Sequence, residues 1–165
     1  MEERTLILSD RQIQHKIKRI AFQILEVYDH QSKLVIAGIA DNGYIFAEKL
    51  ADHIKEVSKV EPLLCKIQMN KQKPHESPSI SLSSEEYEDQ SFILVDDVLN
   101  TGSTLIYAVK HLLDTDLKLL KTAVLIDRSH KKFPIKADFK GISLSTSLHE
   151  IVKVSFGKTS KAELF

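Results

Sequence analysis

SFILVDDVLNTGSTL, residues 91–105, changes character twice. Phe92 to Val95 is an apolar run that stops at two adjacent carboxylates, Asp96 and Asp97. A small polar cluster follows, Thr101-Gly102-Ser103-Thr104, and then LIYAVKHLL, apolar at helical spacing. A short run that is apolar at every position suits a strand buried on both faces, the habit of parallel sheets. The stretch therefore predicts a buried strand, a polar turn and a helix, with two acids at the strand's tip.

The same alternation extends in both directions. Ser9 and Gln12 have the spacing of a capping box, and Ile13, Ile17, Ile20, Ile24 and Tyr28 recur at helical spacing, predicting a helix over 10–29. Leu34 to Ile39 (LVIAGI) is another wholly apolar run, ending at Ala40-Asp41-Asn42-Gly43 before a helix over 44–57. A strand is expected over 62–69, a fourth over 122–126 and a short closing one around 151–156. Residues 70–90 are polar, with prolines and many serines, and read as a mobile loop or a hairpin-like excursion. Strand and helix in alternation imply an α/β fold: one domain over 1–165, a parallel sheet and helices on its faces. Ligands of such sheets bind beyond the carboxyl ends of the strands. That rule selects Ala40–Gly43, Asp96–Thr104 and the segment after Ile126, Asp127-Arg128-Ser129-His130.

Composition bounds the function. With 165 residues the chain can bury one proper core. Lys plus Arg equals Asp plus Glu at 23 each, which does not favour a dedicated nucleic-acid or membrane-surface protein. The single Cys65 has no internal disulfide partner, and the His residues show no metal-ligand spacing with it; Cys65 reads as a core residue. No apolar run approaches the roughly 20 residues that span a bilayer, and no secretory leader is recognisable, so a cytoplasmic protein is expected.

The chemistry of the opening stretch follows from its order. Between a strand end and a helix start, backbone N–H groups are unpaired and the helix dipole favours an anion. Gly102 permits the positive φ that aims successive N–H groups inward, while Thr101, Ser103 and Thr104 add hydroxyl donors. That is a cup for a phosphate monoester. Asp96 and Asp97 would repel the same phosphate and must face another part of the ligand; carboxylates accept hydrogen bonds from a vicinal diol. Diol at the acids and phosphate at the cup describe a ribose 5-phosphate. Neither a Walker loop nor a dinucleotide fingerprint is present.

ILVDDVLNTGST resembles the phosphoribosyl-pyrophosphate (PRPP) signature of type I phosphoribosyltransferases. LSDRQIQHKIKRIAFQILE, GIADNGYIFAEKLADHI, AVLIDRSHKKFPIKADFKG and EIVKVSF follow in order the pattern of one subfamily, the bacterial pyrimidine-operon regulators with uracil phosphoribosyltransferase activity (PyrR). Hypoxanthine phosphoribosyltransferases are similar chiefly through NGYIFAEKLADHIK, and a purine enzyme of that type is an alternative. The resemblance implies that Asp96 and Asp97 hold the ribose hydroxyls and Asn100, Thr101, Gly102, Ser103 and Thr104 the 5-phosphate. It assigns pyrophosphate to Ala40, Asp41, Asn42 and Gly43, with a cis peptide at Ala40–Asp41, and the base to Ile126, Asp127 and Arg128. A flexible hood within 70–90 would bring Lys71 and Lys73 over the site. Mg²⁺ would act as cofactor, bridging ligand oxygens, with Asp41 the one protein group placed to touch it. The implied partners are PRPP, a nucleobase (uracil first) or nucleoside monophosphate, and further copies of the chain in a homodimer or homotetramer.

The chain departs from that pattern in three places. The pyrophosphate loop of the regulators reads Lys-Thr-Arg-Gly, whereas here Ala40-Asp41-Asn42-Gly43 replaces two cations with one anion. A carboxylate against pyrophosphate is repulsive by about 4 kcal/mol per close pair at an effective dielectric of about 20. Three expectations stay open: an intervening Mg²⁺, binding through backbone N–H groups, or reduced turnover in a nucleotide- or PRPP-sensing regulator. An Asp41-Asn42 helix cap is a further reading. Asn70-Lys71-Gln72-Lys73 stands where the subfamily carries Tyr-Arg-Asp-Asp, and Asn100 where purine enzymes carry an Asp. RNA binding, the regulators' second role, would fall to Lys16, Lys18, Arg19, Lys131, Lys132 and Lys136, which read equally well as solvated charges. His130 reads as a turn residue and His111 as surface.

Overall fold

The computed structural model describes residues 3–165. In chain order the elements are β1 (Thr5–Leu8), α1 (Asp10–Val27), β2 (Leu34–Ile39), α2 (Asn42–Val57) and β3 (Leu63–Gln68). They continue with β4 (Ser79–Ile80), α3 (Ser84–Tyr87), β5 (Ser91–Leu99), α4 (Ser103–Leu112) and β6 (Leu119–Asp127). β7 (Phe139–Ser143), β8 (Val152–Ser155) and β9 (Lys161–Leu164) complete the chain.

Six strands form one sheet in the order β4-β3-β2-β5-β6-β7, parallel throughout except for the short β4. Side chains of the central strands alternate between two cores. Ile36, Ile93, Val95, Ala123 and Leu125 face α1 and α2, packing with Ile13, Ile17, Phe46 and Leu50. Val35, Ala37, Phe92, Leu94 and Val124 face α3 and α4 with Tyr87, Leu105 and Ala108. Each fully buried Ile, Leu or Phe contributes roughly 1.5–3 kcal/mol of transfer free energy. That explains why the central runs lack polar residues until their carboxyl ends. Cys65 lies on β3 in the second core, as expected.

The capping box at α1 is formed: Gln12 Oε1 accepts from the Ser9 N–H at 2.8 Å, and Ser9 Oγ accepts from the Gln12 N–H at 3.4 Å. Arg19 on α1 donates to the backbone carbonyls of Lys140 and Gly141 at 2.9 and 2.8 Å, tying that helix to β7. Residues 70–90 make the expected hairpin-like return: β4 pairs antiparallel with β3, and a single turn, α3, leads back to β5.

The chain order reverses between β2 and β5: the chain first adds β3 on one side of β2, then returns to add β5 on the other. At such a switch point the two carboxyl-end loops diverge and leave a crevice. Beside it stands a second sheet, order β1-β9-β8, antiparallel and made from the first and last strands of the fold. Only its β8 was expected from sequence.

Candidate functional site

β5 runs on through the acids. Asp96 lies opposite Val124 and Val98 opposite Ile126, so hydrogen-bonded pairing continues to Leu99. This corrects the expectation that the strand ends at the two acids. The Asp96 side chain is buried, 4% exposed, while Asp97 is half-buried. Burial in this apolar frame, then the neighbouring charge of Asp97, pushes the Asp96 carboxyl well above its ordinary range; Lys71 acts in the opposite sense. Lys71 Nζ reaches to 3.9 Å from Asp96 Oδ1. Lys73 turns away and pairs with Glu76 at 3.9 Å.

The polar turn is shorter than predicted, since α4 begins at Ser103. Gly102 has φ +86°, the left-handed conformation that its lack of Cβ permits, and a Cβ there would lie 2.4 Å from Ile135 Cγ2. The Thr101 carbonyl accepts from the N–H groups of Lys132 and Phe133 at 2.8 and 3.2 Å, so the 130–135 segment props the turn from behind. Thr101 Oγ1 accepts from the Ser103 N–H at 3.2 Å. The remaining N–H groups of the first turn of α4 have no carbonyl within the helix to bond. Asp96, Asp97, Asn100, Thr101, Gly102, Ser103, Thr104 and Lys71 line one cleft of about 240 Å³, with Val152 of β8 across from them.

The Ala40–Gly43 segment is likewise tighter than a loop, because Asn42 and Gly43 already belong to α2. The Ala40–Asp41 peptide is cis, as the resemblance implied. Asp41 stands at the N-cap position of α2, its carbonyl accepting from the Ile45 N–H at 3.3 Å, but its carboxylate is exposed and makes no capping bond. These residues do not line the cleft; they reach it through Asn42, whose Nδ2 donates to Asp97 Oδ2 at 3.1 Å and to the Val154 carbonyl at 2.8 Å. Asn42 thereby joins α2, the acid pair and the second sheet. Gly43 makes the close approach possible: a Cβ would lie 2.9 Å from the Val95 carbonyl oxygen and 3.0 Å from Asp96 Cα.

The third predicted segment is disposed otherwise than expected. Ile126 and Asp127 are buried, and Asp127 accepts from the Ser129 N–H at 2.9 Å with Lys131 and Lys140 at 3.7 and 3.6 Å. Arg128 does not line the cleft; it brackets the 146–150 segment and touches the cleft only through Asn100. His130 Nε2 lies 2.7 Å from the Thr146 carbonyl, making it part of the same bracket. Separations of 16–22 residues along the chain carried no signal for this bracket in the sequence. His111 is half-buried with Nε2 unpartnered, rather than simply surface. Of the basic residues considered for RNA, Arg19 is committed to β7, while Lys131 and Lys136 pair with Asp127 and Asp138.

Among the described residues no three His, Cys, Asp or Glu side chains converge as a metal site. Mg²⁺ prefers few protein ligands and keeps water or phosphate oxygens. The donor set fits that habit: Asp96 and Asp97 line the cleft, Asp97 the more exposed of the two, and Asp41 lies on the neighbouring segment. Among the described residues no helix is long and apolar enough to cross a membrane.

A sequence profile of the phosphoribosyl transferase domain matches residues 5–157. The "Bifunctional protein PyrR" of Clostridium botulinum (strain Eklund 17B / Type B) is 35% identical over 163 residues, covering 93% of this chain and 90% of that protein. Its namesake in Clostridium kluyveri is 31% identical over 168 residues, covering 98% and 95%. Among solved structures, a hypoxanthine-guanine phosphoribosyltransferase from Bacillus anthracis superposes with a TM-score of 0.74 at 21% identity, covering 90% of this chain and 84% of that one. The hypoxanthine phosphoribosyltransferase of Trypanosoma cruzi gives 0.71 at 19% identity, covering 85% and 81%. At such identities the superpositions speak for the fold.

Proposed function

We propose, from the premise that this chain belongs to the phosphoribosyltransferase family and within it to the PyrR subfamily, that it transfers ribose 5-phosphate from PRPP to uracil. The products are UMP and pyrophosphate. The observation that carries the reading is the acid pair on β5 sharing one cleft with the turn before α4. In this reading Asp97 and Asp96 accept from the ribose hydroxyls, and Thr101 to Thr104 donate to the 5-phosphate. A ring nitrogen of the base forms the bond to ribose C1 while the bond from C1 to the pyrophosphate oxygen breaks. The electron pair leaves with pyrophosphate, and the ring N–H proton passes to solvent. Positive charge develops on the sugar, and a carboxylate fixed beside it stabilises that charge without reorganising. Asp97 or Asp41 would help hold a Mg²⁺, which would supply charge neutralisation of the leaving group. Lys71 is the cation nearest the acids and closes the cleft's rim. Further copies of the chain complete a homodimer or homotetramer.

The test is a panel of pyrimidine and purine bases with PRPP and Mg²⁺, following pyrophosphate release. Release with uracil above all others is expected. No release with any base, while ribose 5-phosphate still binds, turns the reading to its second form: a sensor of PRPP or a nucleoside monophosphate. One observation favours that form. The segment assigned to pyrophosphate offers an exposed carboxylate, Asp41, and an amide, Asn42, already bonded to Asp97.

A further inference from the structure

One stripe of α1 faces away from the core. Arg11, His15, Lys18, Phe22 and Glu26 follow one another three or four positions apart, so they share that stripe, and all five are exposed. The stripe is polarised along its length. Arg11, His15 and Lys18 make its amino half basic, Glu26 makes its carboxyl half acidic, and the Phe22 ring stands between them, 44% exposed. The ring lies in a shallow depression of about 430 Å³ whose other walls are His15, Lys18, Arg19, Gln23 and Glu26. Arg19 fixes one wall: its Nη1 donates to Gln23 Oε1 at 3.0 Å while Nη2 holds the β7 carbonyls. Lys18 and Glu26 are left over. Among the described residues neither has an ion-pair partner. Eight residues of helical rise, roughly 12 Å, keep them from each other. Glu26, in the last turn, also stands against the helix dipole, so its charge does nothing for α1 itself.

We infer that this stripe is a contact between two copies of the chain, in which α1 crosses the partner's α1 antiparallel about a two-fold axis at Phe22. Residues equally far on either side of Phe22 then meet. Lys18 faces the partner's Glu26, Glu26 faces the partner's Lys18, and the two rings cover each other. A surface that complements itself in this way fits an isologous dimer. A polyanion would meet Glu26, and a lipid surface would find a single ring rather than an apolar face. The contact is one helix long, small beside the roughly 1,600 Å² of a standard interface, so its affinity is modest. Its charge pairs lie at the surface and weaken with salt. The inference names the face for the self-association proposed above and is independent of the chemistry of the cleft.

Sedimentation equilibrium of the full chain at low salt tests it, comparing the parent with Lys18→Glu, Glu26→Lys, Phe22→Asp and the double variant Lys18→Glu/Glu26→Lys. The two-fold axis makes every substitution felt twice. Each single variant should weaken self-association at least tenfold. The double variant exchanges the charges, re-forms both pairs and should recover most of the parent's affinity. All three positions are exposed, so melting should stay at the parent's level. A parent that stays monomeric, single reversals that leave association as it was, or a double variant as weak as the singles each overturn the inference. So does Lys18→Glu losing retention of RNA while keeping its self-association, which would give the face to a polyanion. Calorimetry with ribose 5-phosphate on the same proteins keeps the two readings apart: its failure in the parent removes the cleft reading and leaves the sedimentation result to decide this one.

Discussion

Asp96 and Asp97 are neighbours in the chain but not in environment. Asp96 is enclosed by the sheet, whereas Asp97 is half-buried and already accepts from Asn42. Asp97→Asn keeps the shape and one acceptor but removes charge beside the developing cation. For the proposed transfer to uracil, kcat/KM should drop at least tenfold, about 1.4 kcal/mol, with ligand-free melting unchanged. Asp96 answers to pH. Its folded pKa lies above the 3.8 of the free side chain, so over that interval the folded chain holds a proton that the unfolded chain has lost. Its contribution to stability is complete below 3.8 and is lost as pH rises through the folded pKa. Denaturant midpoints of Asp96→Asn, subtracted from those of the ligand-free parent across pH, should show the parent losing ground as pH rises. A flat difference contradicts the burial argument.

At the scale of elements, two glycines beside the cleft permit close approach, Gly43 of α2 to β5 and Gly102 of the turn to Ile135. Gly102→Ala would hold a Cβ residue at φ +86° and press on Ile135, costing about 1–2 kcal/mol from the backbone alone. Melting should fall and ribose 5-phosphate affinity with it. Gly43→Ala would force α2 away from Val95 and Asp96, an overpacking of about 1–3 kcal/mol, visible as lower chemical stability. Elements also show what the sequence made legible. β2, β5 and β6 were readable because strands covered on both faces show as unbroken apolar runs. β1, β7 and β9 were not: they are four or five residues long, β1 and β7 at sheet margins and β9 in the middle of the small sheet, with exposed positions that blur any period. The polar end of β5 was misjudged for a related reason. Pattern reports side-chain burial, whereas strand pairing is a property of the backbone and passes through Asp96 and Asp97 unaltered. The acid pair and the cup were legible because their chemistry is local. The Arg128 bracket and the Asn42 bridge were not, since their partners are distant in the chain.

For the whole molecule, Asn42 is the rivet between the six-stranded sheet and the small one, through the Val154 carbonyl. Asn42→Ala should speed amide exchange in Val152–Ser155 while leaving β2 and β5 protected, and should weaken PRPP binding. Equal exchange in both sheets would mean that the small sheet needs no such tie. That sheet joins Thr5 to Leu164 and Val152 to the same Leu164, so β9 is the sole neighbour through which β1 and β8 share a sheet. A ribosome delivers these pieces in a fixed order. By the time β7 has emerged at Ser143, every strand of the large sheet exists and can pair. β1 still waits with an open edge, and Val152, which lines the cleft with the acids, has yet to follow. The nascent chain can therefore own a folded core before it owns a covered cleft. The cover over the acids comes only with β8 and β9.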